Sequence, residues 1–564
     1  MITQRRRVEL VEEFQAGRVS RREFAKKAIA LGMAGPVISS IITAGATKAA
    51  PARHVAARPS QYQQTGGVLV FGAWQTPDTL DPQKTGLAAT GRLISNVFDL
   101  LVWKFPGDDT LYPGLAESWD VSPDGLEYTF HLRDDVTFHN GEPLNAESVR
   151  YTFDRLADPA NQTLAPVPLG YDHVDIVDDY TAKVVFTKPY APFLTLLARG
   201  YGFSFMLPPK FAAEDPEGMG LTPPGTGPFV ITDYAHGSHA TLERNPDYNW
   251  APEYFGRQGP ALLEGIDWRI IEESGTRAST LESGETHLIE EIVPAQYETF
   301  KANPAFQVIT QDTLGCPRTV HLNCTKFPTD DLAVRQAMNY AVDKSVITDV
   351  IFRGMVEPAY GPLEKLTPGY NPAVEEYYPF DPDRARQMLD EAGWTMNGDF
   401  RAKEGQELKA LFIVTAKDNF DEAAQVIQSQ FRDVGINLEL TTEAQPTIFT
   451  TYNRGEQNLA NIFWWGVDPE SLYSLYHSSQ IEQGFNWAHY TNPEVDGLLE
   501  QGYVEGDNEK RMDLYEQAQV LIMEDAPLIP VWGKRQLMAG KASIADMEFN
   551  LSVYPLYYNT TLGE

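Results

Sequence analysis

Two tryptophans and a carboxylate lie close together in the stretch 463–469 (FWWGVDP). Trp464 and Trp465 end a predicted strand, and the glycine and proline that follow indicate a sharp turn carrying Asp468. Large rings beside a polar group at the end of a strand suit a cleft for a small organic ligand. Trp74 follows the first predicted strand of the body in the same manner. We therefore take all four residues as candidate ligand-binding residues, with packing in a core as the alternative for the tryptophans.

The sequence contains no motif of the common catalytic or nucleotide-binding sites. G-x-S-x-G, G-x-x-x-x-G-K-[ST], H-E-x-x-H and C-x-x-C are all absent. His236 and His239 are better explained by an exposed polar turn than by a metal site. Because carboxylates are abundant along the whole chain, no acid pair stands out for glycoside chemistry. The sequence predicts a binding protein with no catalytic residue, no metal and no cofactor.

Helix and strand patterns alternate in the second half of the chain, which predicts an α/β fold. One helix is predicted after Asp381, which can cap it, with Pro382 in its first turn and apolar residues at helical spacing up to Gly393. Further predicted segments are a helix over 421–434 with a strand over 436–440, a helix over 509–525 with a strand over 528–532, and a strand over 126–133.

Length and charge restrict the class of protein. The chain has 564 residues, enough for roughly two to four domains. Its net charge is −33, but residues 1–66 carry a net +7, which leaves −40 on residues 67–564. A body this acidic repels phosphate backbones and anionic lipid, so we expect no nucleic-acid partner.

Residues 1–66 have the pattern of an export signal followed by a linker. Arg21 and Arg22 precede an apolar stretch over 28–46, after which come small residues and an Ala/Pro/Gln-rich segment. The paired arginines favour the twin-arginine route. A membrane-spanning helix is the weaker alternative, because glycines, a proline and serines dilute the apolar stretch. We expect an exported protein of the periplasm or the outer face of the cell membrane.

The chain contains two cysteines, Cys316 and Cys324. The residues between them are typical of a strand, and full extension would separate the two sites by roughly 26 Å, beyond the reach of a disulfide. We predict two free thiols.

The order of short motifs along the chain resembles the oligopeptide/dipeptide/nickel-binding proteins of ABC importers, the family 5 extracytoplasmic solute-binding proteins. The resemblance covers nearly the whole chain after the signal. Its motifs are 79–82 (TLDP), 115–119 (LAESW), 128–133 (YTFHLR), 138–141 (FHNG), 225–229 (GTGPF), 243–248 (ERNPDY), 281–285 (LESGE), 334–337 (VRQA), 340–343 (YAVD), 385–394 and 490–496 (YTNPEVD).

The resemblance implies a two-lobed periplasmic-binding-protein fold of type II, in which ligand is buried as the lobes close about a hinge. It also implies an extra subdomain in lobe I and an ABC importer permease as partner, and we expect a monomer. The implied boundaries are 67–112, 229–314 and 536–564 for lobe I, 113–228 for the extra subdomain, and 315–535 for lobe II.

The turn after the tryptophans departs from the peptide binders of this family. Those proteins tend to carry an Asp that pairs with the α-amino group of the ligand, followed by a second acidic-Pro pair. Here the turn is shorter, and Asp468 aligns with the second pair, so it is expected to be a turn residue. A peptide or peptide-like ligand is the main hypothesis. An oligosaccharide is the alternative within the family, and an extracytoplasmic hydrolase or a peptide-holding chaperone is the alternative from another class.

Overall fold

The computed structural model describes Lys27 and residues 66–415, 419–482 and 484–563, except for the side chains at positions 445, 446, 463 and 465. The predicted signal peptide and linker, 1–66, thus lie almost entirely outside the described residues. Residues 62–564 form one compact unit.

The strands are, in chain order, β1 (Val68–Ala73), β2 (Val102–Trp103), β3 (Tyr112–Pro113), β4 (Ala116–Val121), β5 (Glu127–Leu132), β6 (Tyr171–Asp178), β7 (Thr181–Phe186), β8 (Phe229–Ala235), β9 (His239–Arg244), β10 (Gly265–Ile270), β11 (Leu288–Glu290), β12 (Phe306–Asp312), β13 (Gly315–Leu322), β14 (Thr395–Asn397), β15 (Phe400–Lys403), β16 (Gln406–Glu407), β17 (Lys409–Val414), β18 (Asn437–Thr442), β19 (Leu459–Trp465), β20 (Leu528–Trp532), β21 (Arg535–Lys541), β22 (Ile544–Ala545), β23 (Glu548–Phe549), β24 (Pro555–Leu556) and β25 (Thr561–Leu562).

The α-helices are α1 (Ala88–Ile94), α2 (Ala146–Ala157), α3 (Phe193–Leu197), α4 (Pro209–Glu214), α5 (Ser274–Ser283), α6 (Pro294–Ala302), α7 (Leu332–Tyr340), α8 (Lys344–Val346), α9 (Pro382–Glu391), α10 (Phe420–Asp433), α11 (Gln445–Asn453), α12 (Ser471–Tyr476), α13 (Pro493–Val504) and α14 (Asn508–Asp525).

Two mixed sheets form the frame of the two lobes. The sheet of lobe I has seven strands in the order β12-β21-β11-β1-β10-β9-β8, and the sheet of lobe II has five in the order β18-β17-β19-β13-β20. Helices between the strands supply the rest of each lobe, as the alternation in the sequence predicts. The prediction of an α/β fold with two lobes is confirmed.

The chain crosses between the two sheets at two short segments that lie side by side. β12 of lobe I leads through residues 313–314 into β13 of lobe II, and β20 returns through 533–534 into β21 of lobe I. The Thr313 N–H donates to the Lys534 carbonyl oxygen at 3.1 Å, which joins the two crossings. These segments form the hinge, because they are few in number and connect two separately packed sheets.

Residues 113–228 contain a separate antiparallel sheet in the order β4-β5-β7-β6. Its buried side chains belong to the same hydrophobic core as β1 and β10 of lobe I, as Phe71, Phe130 and Trp268 illustrate. The sheet therefore packs on lobe I, and the predicted boundaries of an extra subdomain remain a prediction.

Local sequence signals and observed elements agree closely in lobe II. Asp381 caps α9, its side chain accepting the Arg384 N–H at 2.8 Å, and Pro382 is the first helical residue. Cys316 lies within β13 and Cys324 beyond its end, and both thiols are free. The extended strand thus separates them as predicted. Among the residues that the structure describes, no helix is both long and apolar enough to cross a membrane.

Candidate functional site: the cleft between the lobes

The two sheets present the ends of their strands to each other across the hinge. In lobe I, β1 and β11 run parallel, and β11 ends beside the first half of β21, with Glu290 paired to Met538. In lobe II, β19 ends beside the start of β13, with Trp465 paired to Gly315. Ligands of open α/β sheets bind beyond the carboxyl ends of the strands. The cleft between these two edges is therefore the candidate binding site.

Trp74 lies at the lobe I edge, directly after β1. Its backbone N–H donates to Glu290 Oε1 at 3.2 Å. Its ring is half-buried, and the indole Nε1 is buried and has no hydrogen-bond partner among the residues that the structure describes. The sequence-predicted position of Trp74 in the cleft is thus consistent with where its strand ends.

An ion pair lies beneath Trp74 in lobe I. Glu290 is 1% exposed, and its Oε2 is 3.2 Å from Arg92 Nε on α1. Burial raises the pKa of Glu290 and the Arg92 charge opposes that shift. A buried pair of this kind fixes the backbone that carries Trp74, because removing either partner would leave a charge without compensation. The sequence analysis did not identify either residue, since 198 positions separate them.

Arg277 of α5 binds backbone carbonyls at the cleft edge of the lobe I sheet. Its guanidinium donates to the backbone carbonyls of Ile271 and Glu272 after β10 and of Glu290 and Glu291 at the end of β11. These bonds are 2.7–3.0 Å long. One cation thereby satisfies carbonyls at the ends of β10 and β11, the two strands that flank β1, and this shapes the wall of the cleft in lobe I.

The tryptophan pair lies at the end of β19, opposite the start of β13. Trp464 is half-buried, and its ring centroid lies 4.3 Å from that of Phe485. The side chain of Trp465 lies outside the described residues. Gly315 has φ +96° and a Cβ there would come within 2.5 Å of the Gly466 nitrogen, so only glycine fits beside this turn.

Asp468 forms a buried ion pair with Arg511 of α14. Arg511 Nη1 donates to Asp468 Oδ2 at 2.9 Å, and Nη2 donates to Oδ1. The side chains are 2% and 4% exposed. The Glu470 N–H also donates to Oδ1 at 3.0 Å. Both carboxylate oxygens are therefore occupied within lobe II, an arrangement suited to a turn residue.

No group of three or more His, Cys, Asp or Glu side chains among the described residues is arranged to hold a metal ion. His239, one of the two histidines at the polar turn, instead pairs its Nε2 with Asp233 at 2.8 Å on the surface.

Comparison with known proteins agrees with this arrangement. A family model described as bacterial extracellular solute-binding proteins, family 5 Middle, matches residues 110–484. Heme-binding protein A of Haemophilus influenzae is 32% identical over 77% of this chain and 81% of its own. Di/tripeptide-binding protein 4 of Pseudomonas aeruginosa is 32% identical over 82% of this chain and 89% of its own.

Solved structures show the same fold. HbpA2 from Haemophilus parasuis has a TM-score of 0.78 at 27% identity, over 88% of this chain and 100% of that one. The periplasmic binding protein DppA from Helicobacter pylori, in complex with the peptide STSA, has a TM-score of 0.71 at 26% identity, over 89% and 99%. Two lobes about a hinge with a cleft between them define a solute-binding protein. The chain belongs to family 5 of the bacterial extracellular solute-binding proteins.

Proposed function

We propose that this protein is the substrate-binding component of an ABC importer and that it holds a peptide or peptide-like ligand in the cleft between its lobes. The main support for the proposal is that the two sheets turn the ends of their strands toward each other across the hinge. Trp74 lies on the edge of one sheet and Trp464 on the edge of the other. A relative with a di/tripeptide-binding name and a structural neighbour bound to a peptide support the ligand class.

The ligand is held without an ammonium contact to Asp468. The bidentate bond from Arg511 already neutralises that carboxylate inside lobe II. A ligand ammonium would have to compete with Arg511 for this carboxylate, and breaking the existing pair costs several kcal/mol. Backbone groups and the rings at the strand ends therefore carry recognition, and a modified amino terminus is tolerated.

Two carboxyls whose pKa values are strongly raised by burial do not form a catalytic cluster. Burial raises the pKa of Asp99 to about 7, but Tyr248 and Trp250 donate to its two oxygens within the core of lobe I. Burial raises the pKa of Glu364 to about 8, and this carboxyl accepts the Lys534 N–H at the hinge. An active site needs such groups to converge, and these two lie in different parts of the molecule.

The oligosaccharide alternative has less support, since the relatives named above bind heme or di/tripeptides. The proposal also includes a location in the periplasm or at the outer face of the membrane, and export through the twin-arginine route. It further includes a monomeric state and the boundaries of the extra subdomain. They rest on the sequence patterns described above.

The test is direct identification and titration of the ligand. Native mass spectrometry of the full chain should find a co-purified compound of peptide mass, and Ala-Phe and N-acetyl-Ala-Phe should bind with dissociation constants within about tenfold of each other. Chromatography of the incubated peptides should recover them intact. Binding of maltotriose with no binding of peptides, or cleavage of the peptides, would contradict the proposal.

A further inference from the structure

Several buried hydrogen-bond donors lie in lobe I, beneath Trp74. The side chain of Arg92 on α1 is 2% exposed, yet its Nη1 has no hydrogen-bond partner among the residues that the structure describes. The same holds for the indole Nε1 of Trp74 and for the hydroxyl of Tyr557, which follows β24. Because buried donors are almost always paired in folded proteins, these three groups indicate a binding site for a further partner.

The three donors share one neighbour, Glu290 at the end of β11. Its Oε1 accepts the Trp74 N–H at 3.2 Å, and its Oε2 lies 3.2 Å from Arg92 Nε. Burial raises the pKa of the Tyr557 phenol, the Glu290 charge adds to that rise, and the Arg92 charge opposes it. Tyr557 is therefore within electrostatic reach of both charges. Segments far apart in the sequence thus bring their donors to one edge of the cleft.

The guanidinium of Arg92 is only partly engaged within lobe I. The Glu290 carboxylate lies on its Nε side, and Nη2 is 3.6 Å from Glu291 Oε1, a long contact to a side chain that is 38% exposed. The terminal edge of a guanidinium, formed by Nη1 and Nη2, can bind a carboxylate through two parallel hydrogen bonds. Arg92 can therefore keep Glu290 on one side and bind a second carboxylate at its end.

A second arginine adds positive charge and a fourth donor to this part of lobe I. Arg199, after α3, has a buried Nε for which the described residues supply no partner. Burial raises the pKa of the Tyr554 phenol, and the charges of Arg92 and Arg199 both oppose that rise. Burial also raises the pKa of Glu470 in lobe II to about 7, and Arg199 is among the charges that oppose this shift. The donors of lobe I therefore face the opposite lobe.

The charge balance at this edge favours an anion. Arg92, Arg199 and Arg277 lie near Glu290 and Glu291, which leaves one positive charge on the lobe I side. All four unpaired groups, two guanidinium nitrogens, an indole nitrogen and a phenol, can donate a hydrogen bond. A partner that satisfies them must supply acceptor oxygens, and a carboxylate supplies both the oxygens and the charge.

Two residues beside Arg92 have backbone conformations that are costly for any residue except glycine. Glu291 has φ +50°, and Val553, which precedes Tyr554, has φ +57°. Tyr554 lies directly against α1, because a Cβ at Gly91 would come within 2.4 Å of its ring. Strain of this kind is concentrated at ligand clamps and other functional sites. A feature of the backbone, independent of the unpaired donors, thus marks the same part of lobe I.

We propose that these four donors form a subsite of lobe I that binds a carboxylate of the ligand, with Arg92 at its centre. The inference rests on the proposed function, because it names the group by which a peptide-like ligand is selected. Asp468 is already paired within lobe II, so selection by charge falls on an acidic group of the ligand instead of on its amine. The terminal carboxyl of a peptide and an acidic side chain are two sources of that group.

Two matched pairs of ligands test the subsite on the full chain, freed of bound ligand by refolding from guanidinium. Calorimetric titration compares Ala-Phe with Ala-Phe amide, and Ala-Glu amide with Ala-Gln amide. In at least one pair we expect the acid to bind about 10- to 150-fold more tightly than its neutral partner, the range for losing a hydrogen bond to a charged group. A preference in the first pair identifies the terminal carboxylate, and a preference in the second identifies a side-chain carboxylate.

Variants assign the preference to Arg92. Arg92→Gln combined with Glu290→Gln removes both charges together, so that neither is left buried alone. In this double variant the ratio of acid to amide affinity should fall to about threefold or less. Glu290→Gln alone keeps the guanidinium and should keep the preference for the acid. Arg269→Ala, on a partly exposed arginine of β10, and Glu482→Gln, at an exposed position in lobe II, are the controls and should keep the wild-type ratio.

The possible outcomes separate the subsite from the ligand class. Equal affinities within both pairs, or a double variant that keeps the wild-type preference, would overturn the subsite and leave the proposed ligand class intact. Binding of none of the four compounds would overturn the proposed ligand class and the subsite with it. An ion pair with a purely structural role would change the affinities for acid and amide alike, so the ratio distinguishes recognition of the carboxylate from an effect on folding.

Discussion

At the scale of single residues, Asp468 is already paired within lobe II. Its two oxygens accept from Arg511 and from the Glu470 N–H, and the pair is buried. The resemblance to peptide binders predicts a turn residue because the turn is short, and the pairing of Asp468 with Arg511 is consistent with that prediction. That partner lies 43 positions away, so no local pattern could have indicated it.

Asp468→Asn should therefore damage folding more than binding. Losing the carboxylate leaves the Arg511 charge buried without its partner, and we expect the free energy of unfolding to fall by about 3–5 kcal/mol. Affinity for Ala-Phe should change less than about tenfold. Denaturant unfolding and calorimetric titration measure the two effects, with Glu482→Gln as the control. A hundredfold loss confined to ligands with a free α-amino group would restore Asp468 as an ammonium anchor.

The same two measurements, of unfolding and of ligand binding, should distinguish the roles of Trp74 and Trp464. Trp74 borders the cleft after a strand end, so Trp74→Ala should weaken ligand binding by about 1–3 kcal/mol, roughly 5- to 150-fold in dissociation constant. Trp464 also packs on Phe485, so Trp464→Ala should in addition lower the free energy of unfolding by about 3 kcal/mol. Loss of stability without loss of affinity for both variants would assign both rings to the cores.

At the scale of the elements, Arg277 determines how β10 and β11 end. Four backbone carbonyls at the cleft depend on its guanidinium, and buried carbonyls without donors are costly. Arg277→Ala should lower the free energy of unfolding by about 3–5 kcal/mol and speed amide exchange over residues 286–293. Arg269→Ala removes an arginine on β10 whose ion pair with Asp267 is partly exposed, and it should cost under about 1 kcal/mol. Equal losses in the two variants would contradict the role of Arg277.

The reactivity of the two cysteines tests whether β13 is extended as the structure has it. Burial raises the pKa of Cys316 to about 12 and that of Cys324 to about 11, so thiolate is scarce in the folded protein at neutral pH. We expect slow labelling of the native protein and complete labelling of both thiols after denaturation without reductant. A mass two hydrogens lower than the reduced chain, with no labelling, would show a disulfide instead.

The sequence predicted the elements whose signals are local. Asp381 and Pro382 marked the start of α9, and the period-two pattern at 126–133 marked β5. Contacts that join distant parts of the chain, such as Arg92 with Glu290 or Tyr190 with Glu470, carry no local signal. The same holds for strand order, since nothing near β21 indicates that it inserts between β12 and β11.

At the scale of the whole molecule, the predicted export signal can be tested by mutating its two arginines. Replacing Arg21 and Arg22 with lysine should leave the precursor in the cytoplasm, because the twin-arginine route reads that pair as an address. Cell fractionation with an antibody to the folded body measures the distribution. Normal export of the double variant would exclude this route.

The position of β21 determines the order in which the molecule can be completed during synthesis. Every strand of lobe II is present once residue 532 has been made, whereas the lobe I sheet still lacks the strand between β11 and β12. Until that strand arrives, two rows of backbone N–H and C=O groups face an empty slot, and such edges recruit strands from other chains. A chain that stops after β20 and before β21 would thus have one finished lobe and one lobe open to aggregation.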